Sequence, residues 1–301
     1  DAAAARMSAQ TVIFVDVDGV LNVGLTQGEA NTLMLSLRNM ALARRVQLDG
    51  RASKASKDAA ESLLNLAAAP LSGEAGTLQK YMCPDHGISD LLVERLAKLL
   101  LAAGPSAHVV LSSSWRHERH AAKRDLLERK ISKCIGQSFS FHGVTNTDRK
   151  EHTGGDRLQL LGDYLEGYSQ RIPRDQHLRI LVLDDFFLCP MGWTVGEKLV
   201  QTQEEMKDYI QSRVKTHAAQ VKIVYTYDEW TMRLGKLHAS IGLQMSMYVD
   251  ALNFLQDKVE AQPELQVPET RSALLLKTAE VLPIKTRPPG FQPCRSVILA
   301  L

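Results

Sequence analysis

The sequence predicts an α/β fold, a parallel sheet with helices on both faces. Residues 11–16 (TVIFVD), 107–112 (AHVVLS) and 179–184 (RILVLD) are short, β-branched and almost wholly apolar, as strands buried on both faces must be. Amphipathic helical stretches separate them, and strands alternating with helices imply right-handed crossovers in a parallel sheet. Each run also ends on a residue with a side-chain oxygen. Open parallel sheets bind ligands beyond the carboxyl ends of their strands, so three such endings predict one shared polar site.

The helices follow from spacing. Residues 89–103 place Leu92, Leu96, Leu99 and Leu100 on one face; 116–133 carry the stripe Leu126, Leu127 and Ile131; 156–168 carry Leu158, Leu161, Leu165 and Tyr168. Residues 138–142 (SFSFH) and 198–202 (KLVQT) read as further strands, the second leading into a helix at 203–216. Residues 27–80 are an Ala-, Ser- and Lys-rich insertion with two predicted helices, 32–45 and 53–69, close to the first strand end. The expected organisation is therefore a core at 1–216 carrying the 27–80 insertion, and a C-terminal extension at 217–301. The extension is read as a strand at 221–227, a long helix at 230–258 and an extended tail punctuated by Pro263, Pro268, Pro283, Pro288, Pro289 and Pro293.

Composition narrows the function classes. Lys and Arg total 36 against 34 Asp and Glu, a balance that argues against whole-surface binding to nucleic acid or an anionic membrane. Cys83, Cys134, Cys189 and Cys294 include no C-x-x-C pair and read as free thiols of a reducing compartment. No apolar run approaches the ~20 residues of a membrane span. Residues 1–10 are Ala-rich and start without Met. The expected location is cytoplasmic, or mitochondrial if Asp1 is a processed end.

The sharpest chemical signal is Asp16-Val17-Asp18-Gly19-Val20-Leu21-Asn22, directly after a buried strand. Two carboxylates two residues apart at a strand end can divide labour. One attacks a phosphoryl group, and the other gives a proton to the leaving oxygen and later takes one from water. Gly19 permits the sharp exit from the strand. The bland alternative is a solvated Asp-Gly turn.

VIFVDVDGVLN resembles the first motif of the haloacid dehalogenase-like (HAD) superfamily, whose fold is a Rossmann-like parallel sheet. The resemblance implies that Asp16 is the nucleophile and a magnesium ligand. It implies that Asp18 is the general acid/base and ligates the metal through its backbone carbonyl. VVLSSSWR resembles the second motif, with the Ser112 hydroxyl and the Ser113 amide as phosphate donors; the -SSSWR- form is similar to small HAD domains attached to RNA-repair enzymes. ILVLDD resembles the fourth, with Asp184 as a direct Mg²⁺ ligand and Asp185 as a direct or water-mediated one. A hard cation takes oxygen ligands of this kind, and without one the carboxylates would repel each other and a phosphate. The 27–80 insertion stands where this superfamily carries a cap.

The third motif departs from the pattern. Gly143-Val144-Thr145 matches its G-x-T segment and DRLQLLGDYL its helix, but the basic residue between them does not align cleanly. Lys150 is the first candidate, Arg157 the second and Arg149 the third. Arg116 follows the serines and is a candidate for touching substrate, and His142 and His152 are weaker candidates for the site. The rest of the basic run at 116–130 reads as a solvated helix face.

The function expected is a Mg²⁺-dependent phosphomonoester hydrolase working through an aspartyl phosphate, with a phosphorylated substrate of unspecified class and no membrane partner. Two rivals stand beside it. One is a scaffold or assembly subunit of the same fold, with weak or lost catalysis and a protein partner for the insertion or the extension. The other is a nucleic-acid end-processing phosphatase, whose binding would weaken steeply with salt.

Overall fold

The computed structural model of the chain describes residues 10–27, 33–84, 87–148, 153–174, 176–186, 192–214, 217–227 and 237–256. Gln10–Val15 (β1) is the central strand and is buried from Thr11 onward. Its alternation serves two cores at once. Ile13 and Val15 face one and Val12 and Phe14 the other, so no position is left for a polar side chain until Asp16. The chain then forms a hairpin, Gly24–Gln27 (β2) with Leu33–Met34 (β3), and two helices, Leu37–Leu48 (α1) and Lys54–Ala68 (α2). Ser36 and Ser53 cap these helices, each accepting a hydrogen bond from the backbone N–H three residues on.

Asp90–Ala103 (α3), His108–Leu111 (β4), Ala121–Ile135 (α4) and Gly143–Val144 (β5) follow. Next come Gly154–Ser169 (α5), Leu178–Asp184 (β6), Trp193–Val195 (β7), Lys198–Val200 (β8) and Gln203–Ser212 (α6). The last elements are Ala219–Tyr225 (β9), Leu237–Ser240 (β10) and Met245–Leu255 (α7). The main sheet has the order β5-β4-β1-β6-β9 and is parallel throughout. α3, α4 and α7 bury Leu96, Leu127 and Ala251 against Ile13, Val15, Leu181 and Leu183. α5 and α6 bury Leu158, Leu161, Met206 and Ile210 against Val12, Phe14, Ile180 and Val182. Helices thus cover both faces, and the Rossmann-like α/β fold expected from the strand pattern is the fold found.

Five elements differ from expectation. The first insertion helix, expected at 32–45, begins at Leu37, and Leu33–Met34 before it is the strand β3. The fifth-strand position is taken by Gly143 and Val144, not by 138–142. Phe139 and Phe141 instead give their backbone N–H groups to Ser132 Oγ and Glu128 Oε1 on α4, and the stretch reaches β4 only at its last residue, where His142 N–H donates to Val109 O at 2.8 Å. β8 pairs antiparallel with β7 in a separate two-stranded hairpin and does not join the main sheet. The strand expected to open the C-terminal extension is β9, which pairs with β6 along its whole length; the sheet therefore runs past residue 216. The single helix expected at 230–258 is divided: Leu237–Ser240 is a strand paired with β2, and the helix proper begins at Met245. Residues 230–236, 257 and 258 and the Pro-rich tail lie outside the described residues.

Candidate active site

The register of the sheet builds the site. Val15 pairs with Leu111 and with Leu183, and Leu111 pairs with Val144. The next residues, Asp16, Ser112, Asp184 and Thr145, therefore stand in one row across the carboxyl ends of four strands. Backbone hydrogen bonds lock the row: Ser112 N–H donates to Val15 O at 2.9 Å, Asp16 N–H to Leu183 O at 3.0 Å and Thr145 N–H to Leu111 O at 3.1 Å. All four residues are at most 5% exposed. The hydroxyls of Ser112 and Thr145 are buried and have no hydrogen-bond partner among the described residues, so both donors are available to a group entering the row.

Asp16, Asp184 and Asp185 offer carboxylate oxygens that all lie within 4.8 Å of one another. Arg157, in the first turn of α5, reaches into this group. Its Nη2 pairs with Asp16 Oδ2 and lies 2.8 Å from Asp184 Oδ1, while its Nη1 donates to Asp185 Oδ1 at 2.9 Å. The guanidinium rests over the Phe186 ring, 5.0 Å from its centroid. One positive charge against three carboxylates does not neutralise the pocket. Burial pushes the Asp16 carboxyl up to about 7; the Arg157 charge opposes that rise, while Asp185 and Asp18 add to it. A divalent cation suits this donor set, being hard and all-oxygen in its preferences and able to supply the missing positive charge.

Asp18 is turned away from that group. Its Oδ1 accepts from Asn22 Nδ2 and its Oδ2 from Trp115 Nε1, both at 3.0 Å. Asn22 is fully buried; its Oδ1 also accepts from Gly19 N–H at 2.7 Å and its Nδ2 also donates to Gly87 O at 2.9 Å. Gly19 has φ +87° and passes so close to Asp185 that a Cβ would lie 2.3 Å from Oδ2. Ser113 uses its hydroxyl locally, accepting from Trp115 N–H at 3.4 Å. Arg116 is buried and structural: it donates to Asn146 O and Ser113 O, tying the loop after β4 to the loop after β5.

Asp16, Ser112, Asp184 and Asp185 are thus brought together as the sequence indicated, with Asp18 and Ser113 beside them. Lys150, the first candidate for the basic position, lies outside the described residues, as do Arg149 and His152. Arg157, the second candidate, lies on the carboxylates. His142 is exposed; its Nδ1 accepts from Val109 N–H at 3.1 Å, near the start of β4 and away from the row. The roles of Trp115 and Asn22 towards Asp18 were not read from sequence, although both stand within the quoted motifs. Thr145 had been noted only as part of G-x-T.

Among the described residues no helix is long and apolar enough to cross a membrane. No curated protein and no solved structure is matched by the chain. A family described as the HAD domain in Swiss Army Knife RNA repair proteins matches residues 12–207, more than half of the chain. Carboxylates at the ends of β1 and β6, a hydroxyl at the end of β4 and a parallel sheet beneath them agree with that match, and the chain belongs to this HAD family.

Proposed function

We propose that the chain is a magnesium-dependent phosphomonoester hydrolase that works through an aspartyl phosphate on Asp16. The observation that carries this reading is the single register row of Asp16, Ser112 and Asp184, with Asp185 and Arg157 closing on it. Membership of a HAD family supports hydrolase activity. Asp16, Asp184 and Asp185 would hold the cation, with the Asp18 backbone carbonyl as the further ligand the resemblance implies. Bound Mg²⁺ would offset negative charge on the phosphoryl oxygens and on the carboxylates.

The chain's own residues account for the remaining steps. The Ser112 and Thr145 hydroxyls donate to phosphoryl oxygens, which orients the phosphorus towards Asp16. Arg157 offsets the charge of the nucleophile and of the transferring group. An Asp16 oxygen forms a bond to phosphorus while the bond from phosphorus to the ester oxygen breaks, and Asp18 passes its proton to that oxygen. Water then attacks the phosphorus of the aspartyl phosphate, Asp18 takes the proton, and inorganic phosphate leaves with Asp16 regenerated. Trp115 and Asn22 hold the Asp18 carboxyl in place for both transfers.

A second reading narrows the substrate to a phosphorylated nucleic-acid end. Lys123 Nζ lies 5.1 Å from the centroid of the Trp115 ring, and Arg119 and Arg124 flank the same segment, so positive charge gathers around the ring that donates to Asp18. The family's association with RNA repair supports it. The test is phosphate release from an aryl phosphate, a panel of phosphometabolites and 3′- or 5′-phosphorylated oligonucleotides, with and without Mg²⁺. Release confined to oligonucleotides and falling steeply with salt supports the second reading; salt-insensitive release from metabolites contradicts it.

A further inference from the structure

Asp185 is held from two sides, and one of them lies outside the segment that the family matches. Its Oδ1 takes Arg157, and its Oδ2 accepts the hydroxyl of Ser240 at 2.7 Å. Ser240 is 4% exposed and stands at the end of β10, paired with Gly24 and bridged to Tyr227. The residues that follow are stitched to the turn after β1 and to the residue after β9 by backbone hydrogen bonds. Ile241 N–H donates to Thr226 O at 2.8 Å, Gly242 N–H to Gly19 O at 3.1 Å and Leu243 N–H to Val20 O at 2.9 Å. Leu243 O in turn accepts from Arg95 Nη1 on α3 at 2.8 Å. Gly242 has φ +71°, and a Cβ there would lie 2.6 Å from Leu92 Cδ1, so glycine suits the close approach of this strap to the turn.

From this geometry we infer that the strap 240–243 completes the active site and that Ser240 is a positioning residue, fixing the Asp185 carboxylate for a divalent cation. The inference rests on the cation-dependent reading above. Gly19 packs against one side of Asp185, Arg157 holds one oxygen, and without the Ser240 hydroxyl nothing described holds the other. A carboxylate free to turn about its terminal bond pairs more fully with Arg157 and presents less well to a cation. Hydrogen bonds of this supporting kind change metal affinity or activity by about 10- to 100-fold.

The test compares Ser240→Thr with Ser240→Val in the full chain, a pair of nearly equal shape that differs by the hydroxyl, so any cost of added bulk is common to both. Direct Mn²⁺ binding by calorimetry is the first readout, and the Mg²⁺ concentration required for phosphate release the second. The expected result is that Val weakens Mn²⁺ binding roughly 10- to 100-fold and raises the Mg²⁺ requirement alike, while Thr stays within about threefold of wild type. In an Asp185→Asn background the two substitutions should bind Mn²⁺ equally. Equal Mn²⁺ affinity of Thr and Val in the otherwise wild-type chain overturns the inference, as does a difference between them that persists in Asp185→Asn. Mn²⁺ binding without phosphate release from any substrate overturns the phosphohydrolase reading and leaves the Ser240 comparison decisive; no Mn²⁺ binding by wild type overturns both.

Discussion

Asp18 shows how much of a site is set by single side chains beyond the reacting ones. Its two oxygens face different donors, Asn22 and Trp115, and neither oxygen is spent on Arg157. Replacing Trp115 by Phe removes one donor and keeps most of the ring. Phosphate release should fall roughly tenfold, the equivalent of ~1.4 kcal/mol, with Mn²⁺ affinity unchanged. Equal losses in release and in cation affinity would show that Trp115 acts on the site as a whole rather than on Asp18. The carboxylates themselves were legible in the sequence, because an aspartate that ends a wholly apolar strand has few structural uses. Arg157 was harder to choose. Its place depends on where α5 begins, and Thr153 and Asp156 set that start by reciprocal capping, a T-x-x-D signal; Lys150, the first candidate, lies outside the described residues. Ser240 had no signal at all, since its partner is 55 residues away and a lone serine carries no pattern.

At the scale of elements, the loop between α2 and α3 is pinned by a charged cluster. Glu74 accepts from Lys80, Tyr81 and Arg95, and Arg95 also donates to Tyr81 Oη at 2.6 Å. Burial opposes ionisation of Glu74, but these three hydrogen bonds outweigh it and hold its carboxyl at about 2. A carboxyl depressed on folding stabilises the fold above its unfolded value near 4.5, and that contribution fades as pH falls towards 2. Glu74→Gln should therefore cost roughly 1–3 kcal/mol in urea unfolding at pH 7 and progressively less below pH 4.5. A cost independent of pH would place the effect in packing. The same scale separates what local sequence reveals from what it hides. β1, β4 and β6 were legible because burial on both faces forces continuous apolar runs. β10 was not, because its helical spacing is overridden by pairing with β2, about two hundred residues earlier.

The whole molecule is organised by one sheet that the C-terminal region completes. β9 pairs with β6 over seven registered positions, and α7 packs beside it on the face shared with α3. A chain ending at residue 216 would leave the β6 edge and the Leu181–Leu183 side of the core uncovered. Such a chain should lose cooperative urea unfolding, whereas one ending at residue 256 should keep it; cooperative unfolding of the shorter chain would show that the core stands without β9. The strap of β10 then couples this completed sheet to the catalytic turn, so fold and site share the same residues. Whether Asp16 receives the phosphoryl group in a cation-dependent hydrolysis is tested by phosphate release from wild type and Asp16→Asn, with Mg²⁺ and with chelator. Release is expected to require Mg²⁺ and to fall more than about a thousandfold in the variant. Release that survives either chelation or the loss of the Asp16 carboxylate would contradict that expectation.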